Sequence, residues 1–333
     1  MAIIETHGLA RTFKLRKQAV TAVRGVDLTV DEGEIVGFLG PNGAGKTTTL
    51  KMLTTLLRPT AGSATVAGAD LLREPVAVRK AIGYIAQSAG ATGGGSHPRY
   101  RVRDELRLQA GLHRMSAAQG RRRAAQLVRQ LELTGLEGRT IQKLSGGQRR
   151  RLEIALGLMH SPRVIFLDEP STGLDPQSRS HLWDHIRGLR TKLGTAVFLT
   201  THYLDEADRL CDRILVIDHG EIVAQGTPAA LKSRLGGDVI TLRAGDPGTT
   251  KGLLIDLPGL REITTADGDA LRLTVEHGEY ALPQVLRILD GATITLDSIE
   301  LTRPTLDDVF LTLTGRSLRD ESAGPPPAAP IRG

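Results

Sequence analysis

The chain is most tightly constrained between Gly37 and Leu53, where the apolar run Gly37-Phe38-Leu39 ends in Gly40-Pro41-Asn42-Gly43-Ala44-Gly45-Lys46-Thr47-Thr48 and passes into an apolar-periodic segment. A buried strand, a glycine-rich turn and a helix in direct succession leave few ways to fold. Gly40, Gly43 and Gly45 let the backbone turn tightly, so that successive N–H groups converge on one point and cradle phosphate oxygens. Lys46 then enters at the positive end of the helix, within reach of β and γ phosphates, and the Thr47 hydroxyl is placed to ligate Mg²⁺. A nucleoside triphosphate fits this chemistry best. A strand-to-helix turn that binds nothing would have no need of the complete G-x-x-x-x-G-K-T spacing. The loop alone says nucleotide and leaves the task open.

Ahead of the loop, Ile3–Val30 alternates apolar and polar residues, the pattern of half-exposed antiparallel strands. Phe13 in that stretch is either an aromatic that stacks on an adenine face or an ordinary strand side chain. After the loop, Leu50, Leu53, Leu56 and Leu57 have helical spacing, with Pro59 and Gly62 as the stop. Ala81–Gln87 is a short strand ending in an amide, followed by a Gly-rich loop over residues 89–97 that we expect to be mobile. From Val102 to about Leu136 the pattern is helical, with Ala124, Leu127, Val128 and Leu131 as an apolar stripe and Arg121, Arg122 and Arg123 as a solvated face. An RNA-binding reading of those arginines lacks interleaved aromatics, which make up 3% of the chain.

Three further segments carry polar groups at strand or helix ends. Leu144-Ser145-Gly146-Gly147-Gln148 opens a helix, and its N-terminus is either a second anion site or a simple glycine-containing cap. Val164–Leu167 is a continuous apolar run ending in Asp168 and Glu169, the arrangement expected of Mg²⁺-site acids beside a phosphate loop. Asp168 is assigned to the Mg²⁺ shell, and Glu169, pointing the other way on an extended backbone, to polarising the attacking water. Ala196–Thr200 is the next buried strand, and the Thr201 and His202 that follow it lie at the edge where open α/β sheets bind ligands. His202 is thereby placed to touch a γ phosphate. His181 and His185 have the spacing of a zinc pair but no further ligands beside them, so they read as a solvated helix face.

Ile214–Gln225 reads as a closing hairpin around His219-Gly220. Past Gly236-Gly237 the order becomes strand, helix, strand, strand, helix, strand, which resembles a split βαβ unit. A short helix from Thr305 follows, with Asp308 spaced as its capping partner, and then a Pro-rich tail too poor in apolar residues to fold. The expected organisation is a nucleotide-binding domain over 1–235, a small α+β domain over 238–315 and a disordered tail over 316–333. At 333 residues two domains are expected. The net charge of +6 suits an acidic partner or an anionic membrane surface without demanding either. The single cysteine, Cys211, excludes an internal disulfide, fits a reducing compartment and reads as a small buried hydrophobe. No apolar stretch is long enough to span a bilayer and no secretory pattern opens the chain, so a cytoplasmic location is expected, with any membrane role exercised through a partner.

In this order, the phosphate loop, Leu144–Gln148, Val164–Pro170, the Ser171-Thr172-Gly173-Leu174-Asp175 turn and His202 resemble the nucleotide-binding subunit of an ABC transporter over roughly residues 3–232. The resemblance implies a P-loop cassette of mixed sheet core, antiparallel β subdomain and helical subdomain, with ATP and Mg²⁺ as ligands. It casts Phe13 as the adenine-stacking aromatic, Gln87 as the amide that senses Mg²⁺ and the membrane partner, Asp175 as a dimer-contacting acid and His202 as the switch histidine. It further implies a head-to-tail homodimer, in which Ser145, Gly146, Gly147 and Gln148 of one subunit face the ATP of the other. A separately encoded transmembrane permease would hold that dimer peripherally at the cytoplasmic face of the membrane, with no nucleic acid involved. The ending Pro304-Thr305-Leu306-Asp307-Asp308-Val309-Phe310 resembles the daunorubicin- and doxorubicin-efflux branch, and branches exporting polysaccharides, lipids or ions share the same ATPase half. Family members acting on ribosomes usually carry two cassettes in one chain, and those acting on DNA carry a long coiled-coil insertion; neither is seen here. The Gly-rich stretch after Gln87 is longer than the usual family loop, which bears on the contact with the permease.

Overall fold

The computed structural model describes residues 1–15, 18–87, 99–234, 236–266 and 270–315. The Gly-rich stretch at 89–97 and the tail at 316–333 lie outside the described residues. The chain divides into two compact units, Met1–Gln225 and Gly226–Gly333.

In the first unit, β1 (Ala2–Leu15) and β2 (Gln18–Asp31) form a long antiparallel pair, as their alternating pattern predicts. The loop-feeding strand β3 (Ile35–Leu39) follows, and then α1 (Lys46–Leu53). The leucine spacing predicts a helix running on to Leu57, but α1 stops at Leu53. The Thr54 hydroxyl donates back to the Leu50 carbonyl at 2.9 Å, Thr55 adopts a left-handed φ of 62°, and Leu56 is left exposed. Strands β4 (Ala61–Val66) and β5 (Ala69–Asp70) complete a four-stranded sheet in the order β2-β1-β4-β5.

Helix α2 (Pro75–Ala81) leads into β6 (Ile82–Ile85). The expected helical stretch after Val102 is two helices, α3 (Val102–Leu112) and α4 (Ala117–Gln130), broken by a left-handed Arg114 and restarted by a capping box between Ser116 and Gln119. Leu127, Val128 and Leu131 are buried as the stripe predicts, and Arg121 and Arg122 are exposed. Arg123 departs from the solvated face: it turns inward and donates to the Leu158 carbonyl at 2.8 Å, at the C-terminal end of α5 (Gly146–Gly157). A guanidinium suits that place because helix C-terminal carbonyls are left without intrahelical donors.

The centre of the unit is a six-stranded sheet built from β7 (Val164–Asp168), β8 (Ala196–Thr201), β9 (Arg213–Asp218) and β10 (Glu221–Gly226) together with β3 and β6. Its order is β10-β9-β3-β8-β7-β6, and the β9-β3, β3-β8, β8-β7 and β7-β6 pairs are parallel. Strands β3, β7 and β8 are buried at every position, as continuous apolar runs require when both sheet faces are covered. Phe38, Phe198 and Phe166 line up across these neighbouring strands with ring centroids 5.6 and 5.8 Å apart. Parallel strands with crossover connections bring all their C-terminal ends to one edge. Helices α6 (Pro176–Leu193) and α7 (Leu204–Leu210) supply two of those crossovers.

The second unit opens with α8 (Pro228–Ser233), which packs against the last helix, α11 (Leu306–Thr314). That packing moves the boundary from the expected position near residue 235 to Gln225/Gly226. Between them run β11 (Asp238–Ala244), α9 (Pro247–Leu254), β12 (Leu260–Ala266), β13 (Ala270–Val275), α10 (Gly278–Gly291) and β14 (Leu296–Thr302). The sheet order β12-β13-β11-β14, antiparallel throughout, is that of the split βαβ unit. Its core, with Ile240, Leu242, Leu271, Leu273, Val285 and Leu289, is separate from that of the first unit.

Candidate functional site

The turn between β3 and α1 is made by glycines with no room for a side chain. A Cβ on Gly40 would stand 2.3 Å from the Ile217 carbonyl oxygen, and one on Gly45, at φ 105°, would stand 2.6 Å from that of Ala22. The loop is thus wedged between β9 and β2, with Pro41, Ala44 and Lys46 buried and Asn42 and Gly43 exposed. The Lys46 ammonium donates to the Gly40 carbonyl at 2.7 Å and the Pro41 carbonyl at 3.1 Å, and lies 3.4 Å from Glu169 Oε1. Thr47 and Thr48 follow on the first turn of α1, both half-buried.

Asp168 ends β7 and is 2% exposed. Its Oδ1 accepts from the Thr47 hydroxyl at 3.1 Å and the Thr200 hydroxyl at 2.6 Å. The Thr200 oxygen in turn accepts from the Glu169 N–H at 3.0 Å. Glu169 does not continue the strand. Its φ of 44° is left-handed, a conformation costing a non-glycine residue about 1 kcal/mol or more, so a backbone kink aims its carboxylate where simple alternation was expected to do so.

Around the Glu169 carboxylate, Oε2 accepts from Gln87 Nε2 at 2.6 Å and from the Thr172 hydroxyl at 3.2 Å, and His202 Nδ1 stands 3.3 Å away, off the line of a hydrogen bond. Burial opposes the charge, yet His202 and Lys46 outweigh it and hold the carboxyl below its ordinary range. Burial, with the Asp168 charge behind it, pushes the neighbouring Tyr84 hydroxyl up to about 12. Lys46, Thr47, Gln87, Asp168, Glu169 and His202, drawn from four separate places in the chain, thus converge at one sheet edge.

The remaining expected residues stand apart from this cluster. Ser145 caps α5 in a reciprocal box, accepting from Gln148 N–H at 3.2 Å while its own N–H donates to Gln148 Oε1 at 3.1 Å. Ser145 and Gly146 are exposed, and Gly147 lies against Ser178. Asp175 caps α6, accepting from Ser178 N–H at 2.8 Å, and its carboxyl is lowered by the Ser178 hydroxyl and then by that N–H. Phe13 pairs with Val20, two residues along β2 from the Ala22 that packs on Gly45, and its ring lies under the Arg11 guanidinium at 4.7 Å.

Two structural roles escaped the sequence. Arg150 is buried and donates to the carbonyls of Pro170 at 3.0 Å, Ala86 at 2.9 Å and Asp168 at 3.2 Å, tying α5 to both sides of the cluster. Its placement four residues before Ile154 and eight before Leu158, on the apolar stripe, was the available signal. His185 is not on a solvated face: its ring is nearly buried beside Arg151 and Glu132, with Nε2 3.2 Å from Arg151. Among the described residues no group of three or more metal-ligating side chains gathers around it, and no helix is long and apolar enough to cross a membrane. Thr47, Asp168 and Gln87 offer hydroxyl, carboxylate and amide groups, a hard-oxygen set that fits Mg²⁺.

The ABC transporter family model matches residues 23–172, and the model of the C-terminal domain of DrrA1-3-like ATP-binding proteins matches residues 226–314. The chain is 43% identical over 305 residues to the daunorubicin resistance ATP-binding protein DrrA3 of Streptomyces coeruleorubidus, covering 91% of this chain and 94% of that one. It is 34% identical over 304 residues to the linearmycin resistance ATP-binding protein LnrL of Bacillus subtilis, covering 90% and 96%. Among solved structures, a dimeric ATP-binding cassette in a post-hydrolysis state with ADP and Pi superposes with a TM-score of 0.60 at 25% identity, over 67% of this chain and 98% of that one. Matched in sequence along nearly its whole length and in fold over its first unit, the chain belongs to the ATPases of the ABC transporter family, with the C-terminal domain of the DrrA drug-resistance group.

Proposed function

We propose that this ATPase drives efflux of a drug or hydrophobic natural product through a separately encoded transmembrane permease, working as a head-to-tail homodimer at the cytoplasmic face of the membrane. The reading is supported by the names of its relatives, which are resistance proteins for daunorubicin, doxorubicin and linearmycin, and by the dimeric state of a similar cassette.

The observation that carries the chemistry is the meeting of Lys46, Asp168, Glu169 and His202 at one edge of the parallel sheet. The N–H groups of Gly43, Gly45, Lys46, Thr47 and Thr48 cradle the phosphates, and Lys46 exchanges its carbonyl and carboxylate partners for phosphate oxygens. Thr47, Asp168 and Gln87 hold Mg²⁺, which when bound neutralises charge on the β and γ phosphates. Glu169, held ionised by Lys46 and His202, accepts the proton of the attacking water, and His202 contacts the γ phosphate. Ser145, Gly146, Gly147 and Gln148 complete the site of the second subunit, which accounts for the exposure of Ser145 and Gly146. Asp175 lies at the dimer contact, and Phe13 stacks on adenine.

Glu169→Gln preserves shape and removes the base. Nucleotide affinity should stay near parental, turnover should fall by about 10² or more, and an ATP-stabilised dimer should accumulate on sizing. Parental turnover with only monomer in the presence of ATP overturns both the base assignment and the dimer.

A further inference from the structure

Behind the cluster lies a second carboxyl that the chemistry above does not use. Glu206, on α7, is 0% exposed. Its Oε1 accepts from the Ser171 hydroxyl and from the indole N–H of Trp183 at 3.0 Å, and the same N–H lies 3.1 Å from Ser171 Oγ. Ser171 is two residues past Glu169, in the turn that ends at Asp175, and Trp183 is on α6, which that turn starts. Burial pushes the Glu206 carboxyl up, against the hydrogen bonds from Ser171 and Trp183 and the charge of Arg179.

Glu206 itself lies on the first turn of α7, which begins directly after the strand end bearing His202, and its second oxygen, Oε2, is buried with no hydrogen-bond partner among the described residues. The Thr201 oxygen accepts from the Tyr203 N–H at 2.9 Å, and the Thr201 carbonyl accepts from Gly40 N–H at 3.3 Å in the phosphate loop. The Tyr203 ring packs on His202, centroids 4.2 Å apart, and under the Arg179 guanidinium at 4.2 Å. The turn at 170–175 is therefore joined, through Ser171 and the buried Glu206 carboxyl, to the helix that continues the strand end at 200–203. A buried acid is costly to retain for packing alone.

We propose that Glu206 is a positioning residue: it locks the turn carrying Ser171 and Asp175 in register with the strand end carrying His202, so that a shift of either segment is transmitted to the other, and the indole of Trp183 reports that register. The proposal rests on the reading of Glu169 and His202 given above, since it is their alignment that Glu206 would maintain. Trp183 is the sole tryptophan of the chain, so its emission is an unmixed signal from this point.

The test uses full-length protein. Glu206→Ala should lower kcat by about tenfold or more, because a misplacement of about 1 Å costs up to 10²-fold, while KM for ATP stays within about threefold. The same change should shift the Trp183 emission maximum. Glu206→Gln, whose amide oxygen still accepts from Ser171 and Trp183, should restore kcat to within about threefold and return the emission to the parental position. Ser171→Ala should reproduce the kcat loss, and the double variant Ser171→Ala/Glu206→Ala should be no worse than the poorer single, since both break one link. Folding of each variant is checked by circular dichroism; if Glu206→Ala does not fold, Glu206→Gln and Ser171→Ala decide the matter. Parental kcat in the folded Ala variants, additive losses in the double variant, or a rise in KM matching the fall in kcat/KM overturns the proposal. Its failure leaves the ATPase reading standing, because Glu169→Gln abolishes turnover whether or not Glu206 acts.

Discussion

At the scale of the residue, Lys46 and Glu169 hold each other in a buried site, and each has a measurable consequence. Lys46→Ala removes the cation aimed at the phosphates and leaves the Gly40 and Pro41 carbonyls without their donor. Mg·ATP affinity, measured by titration with a fluorescent analogue, should fall at least about tenfold, a charge-assisted hydrogen bond being roughly twice as strong as a neutral one. Glu169 has its carboxyl depressed in the folded protein, so the stabilisation this supplies is complete above the unfolded value of 4.5 and is lost as pH falls through the lower folded value. The melting-temperature difference between the parent and Glu169→Gln should accordingly be constant from neutral pH to about 5 and change only in more acid solution. The identities of these residues were legible in the sequence because the spacing of the motifs carries them. The left-handed kink at Glu169, and Thr200 as the hinge between Asp168 and the Glu169 N–H, were not, since a backbone dihedral and a cross-strand hydroxyl leave no periodic trace.

At the scale of the element, the N-terminal half of α5 is held by features of two different kinds. Its N-terminus is closed by Ser145 and Gln148, and its first turns are anchored through Arg150 to the carbonyls of Ala86, Asp168 and Pro170. Arg150→Ala would leave these carbonyls unpaired and Glu153, whose carboxyl burial already pushes up, without its 2.9 Å partner. Denaturant unfolding of the first unit should show a loss of about 3 kcal/mol. Arg150→Lys should restore little of it, because one ammonium cannot span three carbonyls. In the second unit, Thr305→Ala removes the side-chain cap of α11, in which the Thr305 hydroxyl oxygen accepts from the Asp308 N–H at 3.2 Å, and should cost about 1 kcal/mol. That cap was readable from the Thr305–Asp308 spacing. The early stop of α1 and the inward turn of Arg123 were not, because Thr54 back-bonding and the burial of one arginine out of three depend on what packs against each helix.

At the scale of the whole molecule, the two units have separate cores, and every residue assigned to nucleotide chemistry lies in the first. A chain ending at Gln225 should therefore keep ATP affinity within about threefold of the full chain, a span set by the usual size of effects away from a site. Co-expressed with its permease, the same truncation should fail to confer drug resistance, as a growth assay would record. Loss of ATP binding in a folded truncation would show the units to be interdependent, and full resistance would show the second unit to be dispensable for export.

The sequence by itself determined the nucleotide loop, the paired acids at the end of β7, the histidine at the end of β8 and the order of strands and helices from β11 onward, because each is encoded by local spacing or by the period of apolar residues. Only the tertiary structure decided that α8 packs with the second unit, that Arg123, Arg150 and His185 face inward, and that Glu206 meets Ser171 from the turn after Glu169 and Trp183 from α6. The physical reason is the same in each case: burial of a polar side chain is settled by partners tens of residues away, such as the carbonyls that receive Arg150 or the hydroxyl and indole that meet on Glu206, and no local pattern in the chain records which partners will be there.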